Sequence, residues 1–134
     1  CCLISGCAVY PQQTQSIMKI EFNTLARGGY YKEIVITKDS VAISIREGRG
    51  GELKTSNKAL KKKDWGLLLQ SLGKQSIAEI PDLKSPTMKR AYDGAMHSEI
   101  LITTMDGTTV THSFDDEMPH EKLQKLMRQI SKLR

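Results

Sequence analysis

The chain has 134 residues, enough for one domain with a hydrophobic core of ordinary size. It is 39% hydrophobic and 26% charged, and no apolar run approaches the roughly 20 residues that a membrane-crossing helix needs. The formal charge of +5, from 20 Lys and Arg against 15 Asp and Glu, permits anionic partners without requiring one.

The cysteines, Cys1, Cys2 and Cys7, all lie at the extreme N-terminus, which excludes a disulfide framework or a multi-cysteine metal site in the body of the chain. Leu3-Ile4-Ser5-Gly6 followed by Cys7 resembles the lipobox of bacterial lipoproteins, in which an apolar residue and small residues precede the cysteine. The resemblance implies that residues 1–6 are a signal-peptide remnant and that Cys7 carries diacylglycerol and palmitate. Residues 7–16, with Pro11 and the polar Gln12 to Gln15, are then a lipidated tether, and residues 17–134 form a single domain. The place this implies is the bacterial cell envelope, lipid-anchored at the periplasmic or outer-membrane face.

From Ile17 the pattern has period two: Met18, Ile20 and Phe22 alternate with Lys19 and Glu21, which predicts a strand with those three facing the core. Arg27-Gly28-Gly29 is a turn signal, and further strands are predicted over Tyr31 to Thr37 and Val41 to Arg46. The glycine-rich stretch Glu47 to Gly51 predicts a flexible loop, with a short strand at Glu52 to Ser56. Trp65, Leu68, Leu69 and Leu72 fall at i, i+3, i+4 and i+7, predicting a helix over Lys62 to Leu72 that Gly73 stops. Ser76 to Ile80 reads as a helical turn or bend before Pro81, and Asp82 to Ala91 as a loop long enough to be a candidate for function.

Two strand-like runs then flank Met105-Asp106-Gly107. A three-residue loop with Gly107 in the left-handed region pairs Ile102 with Val110 and Ile100 with His112, so the apolar residues share one face. Leu123, Leu126, Met127, Ile130 and Leu133 predict an amphipathic helix from about Pro119 to the end, with Asp115, Asp116 and Glu117 as the carboxylates at its positive end.

His97, His112 and His120 fall in or beside this hairpin, but its register puts His97 and His112 on opposite faces, and no HExxH or close histidine pair supports a metal site. No Gly-x-Ser-x-Gly or phosphate-binding glycine loop is present either, so the expectation is a protein that is not an enzyme and has no cofactor. Two clusters are basic: Lys58 with Lys61, Lys62 and Lys63, and Lys122, Lys125, Arg128, Lys132 and Arg134 on the last helix. Nucleic acid is not expected, because binders of single strands interleave aromatic residues with the charge and only Trp65, on a core-facing stripe, lies near. Lys61, Lys62 and Lys63 can instead meet an anionic polymer or a membrane surface. Arg27, Gly28, Gly29, Tyr30 and Tyr31 put arginine and tyrosines beside a turn, a composition enriched where proteins meet.

The order of pieces resembles the small emfourin-type domain, an inhibitor of thermolysin-like metallopeptidases. The residues that carry the likeness are the opening strand into Arg27-Gly28-Gly29, the helix about Trp65 to Leu72, Ile80-Pro81-Asp82, the hairpin, and Met118-Pro119 before a leucine-rich last helix. Tyr92-Asp93-Gly94-Ala95 and Ser113-Phe114-Asp115 also resemble stretches of small bacterial lipoproteins. The chain departs from the emfourin layout in its lipobox, its glycines at 48–51 and its longer 83–91 loop.

The expected fold is α+β: an antiparallel sheet of four to six strands with two helices packed on one face. The expected function is that of a monomeric, non-catalytic envelope lipoprotein binding a protein partner, a peptidase among the candidates, through Arg27 to Tyr31 and the 82–94 loop. Alternatives are anionic-polymer or membrane-surface binding through the lysines, and small-ligand binding at the hairpin.

Overall fold

The computed structural model of the protein describes residues 17–72, 77–87 and 95–133. In chain order these form β1 (Ile17–Leu25), β2 (Tyr31–Ile36), β3 (Ser40–Arg46), β4 (Lys54–Ala59), α1 (Lys62–Leu72) and a 3-10 helix (Ile77–Asp82). Then come β5 (His97–Thr104), β6 (Thr109–Asp115), a 3-10 turn (Glu121–Leu123) and α2 (Gln124–Ser131). The strands make one six-stranded sheet in the order β4-β3-β2-β1-β5-β6, with every neighbouring pair antiparallel. Successive hairpins step outward from β1 to β4. The chain then leaves through α1 and returns to lay the β5–β6 hairpin on β1's other edge, so the fold is α+β with both helices on one face.

Pairing aligns Ile20 and Phe22 of β1 with Ile36 and Ile34 of β2 on one side and Ile102 and Ile100 of β5 on the other. These side chains are buried with Val41, Phe114, Leu68, Leu72, Ile80, Leu123, Leu126 and Ile130 in one core, and Trp65 and Leu69 pack half-buried against it. Each such burial contributes roughly 1.5–3 kcal/mol, which is what holds the helices to the sheet. The opposite face carries the other parity, Glu21, Asn23, Glu33, Ser44, Glu99, Thr111 and Ser113, and is open and half-exposed.

The β5–β6 hairpin has the expected register, Ile102 with Val110 and Ile100 with His112, and Gly107 has φ 89 at its turn. The first strand corrects its own alternation. The β1–β5 register shifts between Ile17 and Lys19, so that Ile17 is buried while Met18 is 41% exposed. The extra residue of this bulge reverses the phase at the start of the strand, which alternation alone does not reveal.

The strand expected at Glu52 to Ser56 lies instead at Lys54–Ala59, every residue exposed. It is a polar edge strand whose lysines discourage pairing with another chain. Helix α1 has the expected bounds, while its expected stop at Gly73 lies outside the described residues. The bend expected at Ser76 to Ile80 is the 3-10 helix Ile77–Asp82, which includes Pro81. The last helix becomes α-helical only at Gln124, after the 3-10 turn.

The acidic run before that helix does not cap it. His120 instead caps the 3-10 turn that leads into it: its Nδ1 accepts from the Lys122 N–H at 3.1 Å, while its own N–H donates to Nε2 of buried His112 at 3.0 Å. Leu123, at the N-cap of α2 itself, makes no side-chain capping bond. Asp115 is still in β6, buried, and accepts from the Thr87 hydroxyl. Asp116, at φ 52, accepts from the Met96 N–H at 3.0 Å, and Glu117 accepts from the Ser131 hydroxyl at 3.3 Å. The chain reverses at Asp116, and the three carboxylates are engaged by Thr87, Met96 and Ser131 in place of the backbone N–H groups at the start of the helix.

Candidate functional site

Antiparallel pairing gives the sheet two ends. At the near end β1 starts at Ile17, beside the β2–β3 turn, the start of α1 and the β5–β6 loop. At the far end lie the β1–β2 turn, the β3–β4 loop, the start of β5 and the end of β6. The nine residues of β1 separate the two ends by about 30 Å.

Arg27, Gly28, Gly29, Tyr30 and Tyr31 are at the far end, and the loop expected to be flexible is tied to them. The Arg49 N–H donates to the Gly28 carbonyl at 3.2 Å, the Arg49 guanidinium to the Arg27 carbonyl at 3.3 Å, and Arg46 Nε to the Gly29 carbonyl at 3.3 Å. Gly29 has φ 90, and a Cβ there would overlap the backbone of Arg49. Glycine is required at that position for both conformation and space, because two backbones meet across it. The Arg46 guanidinium also lies over the Tyr31 ring, 5.8 Å from its centroid. Burial first, then the Glu33 and Glu21 carboxylates, hold the Tyr31 hydroxyl above its usual range, against the opposing pull of Arg46. Arginine and tyrosine are thereby fixed by their surroundings, which lowers the entropy lost when a partner binds.

The rest of this end is partly apolar. Leu25 and Leu53 are 48% and 52% exposed, and a cleft of about 260 Å³ is lined by Leu25, Ala26, Arg27, Ala95 and His97. His97, half-exposed with Nε2 4.0 Å from Glu99, belongs to this surface. His112 belongs to the core, stacked on Phe114 at 5.3 Å between centroids. His97 and His112 therefore do not converge, His120 meets His112 through its backbone N–H, and among the described residues no group of three or more metal-ligating side chains forms. His112 cannot serve a ligand site on the hairpin, and Asp93, which such a site would need, lies outside the described residues.

Beneath the far end the core-facing parity turns polar. Lys32, Thr24 and Ser98 continue the rows of Ile34, Phe22 and Ile100 and are buried. The Thr24 and Ser98 hydroxyls bond at 2.7 Å, and Ser98 also donates to the Asp116 carbonyl. Sequence reasoning missed this row. Its signal was a polar residue at an apolar parity, repeated at the same end of three neighbouring strands. Of the 82–94 loop, residues up to 87 are described, and Thr87 reaches this end through Asp115.

At the near end Lys61, Lys62 and Lys63 are exposed. Lys62 and Lys63 occupy the first turn of α1, where the helix dipole disfavours a cation by about 0.3–1 kcal/mol each. The second basic cluster does not join them. Lys125, Arg128 and Lys132 line a separate groove of about 420 Å³ between the helices, with Leu67 and Ser71 opposite.

Cys7 lies outside the described residues. No protein-family model matches the chain, and no curated protein or solved structure does so either.

Proposed function

We propose that the protein is a non-catalytic, lipid-anchored protein of the bacterial envelope that binds a protein partner through the far end of its sheet. The observation that carries this reading is the far-end surface itself: Arg27, Arg46 and Arg49 with Tyr31 and exposed Leu25 and Leu53, braced by bonds between two loops. Arginine and tyrosine held in place are what protein interfaces favour, and lysine is depleted there. Residues 7–16 join the domain at Ile17, the end opposite this surface, so an anchor at Cys7 does not occupy it. A partner with a long cleft, such as a peptidase, would be blocked by insertion of the Arg27 to Tyr31 turn, with no bond made or broken.

The test measures inhibition of a thermolysin-like peptidase and cross-linking to it, alongside capture from envelope extract. Arg27→Ala with Tyr30→Ala should abolish binding while leaving the urea midpoint within about 0.5 kcal/mol of the parent, since both positions are at the surface. Unchanged capture by that variant, or no binding by the parent, would sink the reading. The anchor is tested apart, by incorporation of labelled palmitate and its loss in Cys7→Ser.

A further inference from the structure

We propose that the near end of the sheet docks on an anionic lipid bilayer, Met18 and Met105 entering the headgroup region while Lys38, Lys61, Lys62 and Lys63 meet headgroup phosphates. This deepens the anchoring part of the reading above: the lipid would tether the chain and this surface would orient it.

Met18 and Met105 are 41% and 62% exposed, and strand pairing brings both to the same end of the sheet. Ile17 pairs with Thr104, so each methionine is one residue from the same cross-strand pair. Both are held out by structure. The bulge puts Ile17 in the core and Met18 outside it. The Met105 turn is braced by the Asp106 carboxylate, which accepts from the Thr104 hydroxyl and from the Thr108 N–H at 3.0 Å. The lysines are fixed to the same end, because the Leu60 N–H donates to the Asp39 carbonyl at 2.9 Å, tying the start of α1 to the turn that carries Lys38. From β4 to β5 is four strand spacings, so methionines and lysines share a footprint about 20 Å across.

The occupant follows from three features. Unbranched methionine adapts to a fluid, irregular surface. Lysine is a point charge that does not depend on partner geometry, unlike arginine, and each lysine close to an anionic bilayer changes partition about fivefold. The chain from Cys7 joins the domain at this end and not at the other. Asp39 and Asp64 oppose the lysines, while the Asp106 carboxylate is engaged in its own turn.

The experiment uses the full chain with Cys7→Ser, so that no lipid contributes, and vesicles of phosphatidylglycerol with phosphatidylcholine against vesicles of phosphatidylcholine alone. Binding should require the anionic lipid and weaken steeply with salt. Replacing Lys61, Lys62 and Lys63 by Glu should lower it at least about 100-fold. Replacing Lys125, Arg128 and Lys132 by Glu should leave the near-end contribution intact, and if it matches the first loss, the helix groove is the docking site and the proposal falls. Insertion is read separately with Trp65→Phe as background. In Met105→Trp the emission should shift to the blue and be quenched by brominated lipid, whereas in Met118→Trp, at the other end, it should not. Absence of anionic-vesicle binding, or quenching at position 118 in place of 105, overturns the proposal. Because the protein is unlipidated and no partner is present, these results are independent of palmitate labelling and of peptidase inhibition.

Discussion

The two ends of one sheet finish in different chemistries. At the far end separate segments are knitted together: the β1–β2 turn to the β3–β4 loop through Arg46 and Arg49, and β5 to the chain beyond β6 through Met96 and Asp116. At the near end the β5–β6 turn is braced within its own loop by Asp106, and a backbone bond from the Leu60 N–H to the Asp39 carbonyl ties the β2–β3 turn to the start of α1. Arginine with its planar fork marks the first, lysine with its mobile point charge the second. Side chains thus bridge separate segments where a shaped partner is proposed, and long flexible side chains stand out from braced turns where the proposed partner is a fluid surface.

Matched substitutions at the two ends sharpen this contrast. Gly29 and Gly107 have nearly the same backbone, φ 90 and 89, but only Gly29 is crowded, by Arg49. Gly107→Ala should cost about 1–2 kcal/mol, the strain of a left-handed residue alone. Gly29→Ala adds overlap with a neighbouring backbone and should cost about 2–4 kcal/mol in urea unfolding. Equal costs would mean that the far-end loops are not braced against each other.

Ser98→Ala comes next. It leaves the Thr24 hydroxyl and the Asp116 carbonyl without their partner in the core, a loss of about 1–3 kcal/mol. Its near-end counterpart, Thr103→Ala, removes a buried side chain but breaks a single 2.9 Å bond, to the exposed Thr109 hydroxyl that water can reach, and should cost less, about 0.5–1.5 kcal/mol.

The smallest effect is in pH. Hydrogen bonds from the Thr104 hydroxyl and the Thr108 N–H hold the Asp106 carboxyl below its usual range. Its bracing of the near-end turn is therefore complete above about pH 4 and is lost as pH falls through the lowered value. Tyr31 is shifted the other way, so its contribution to the far end is complete below about pH 10 and is lost as pH rises through the raised value. Chemical shifts should report acid loosening at Gly107 before Gly29, and alkaline loosening in the reverse order. Simultaneous change at both would contradict independent ends.

Much of the fold was legible because it is local. The i, i+3, i+4, i+7 spacing of Trp65 to Leu72 yields α1 with its expected bounds, and agreement between Ile100, Ile102, Val110 and Phe114 selects the hairpin register. Local pattern misplaced Met18, whose exposure depends on how β1 meets a strand some eighty positions later in the chain. It also assigned helix capping to carboxylates that bond Thr87, Met96 and Ser131, while His120 caps the 3-10 turn ahead of the helix.

The amino-acid sequence by itself determined most of the strands and helices, though not the bounds of β4 or the start of the last helix, together with the register of one hairpin and the adjacency of Lys61, Lys62 and Lys63, because periodicity and contiguity need no partner. Tertiary structure alone decided that Arg46 and Arg49 reach the Arg27 to Gly29 turn, that Met18 and Met105 come to one end of the sheet, and that these groups sit about 30 Å apart. Those facts depend on which strand lies beside which. Strand order is set by burying the most apolar area at once, a property of the whole chain that no local stretch encodes.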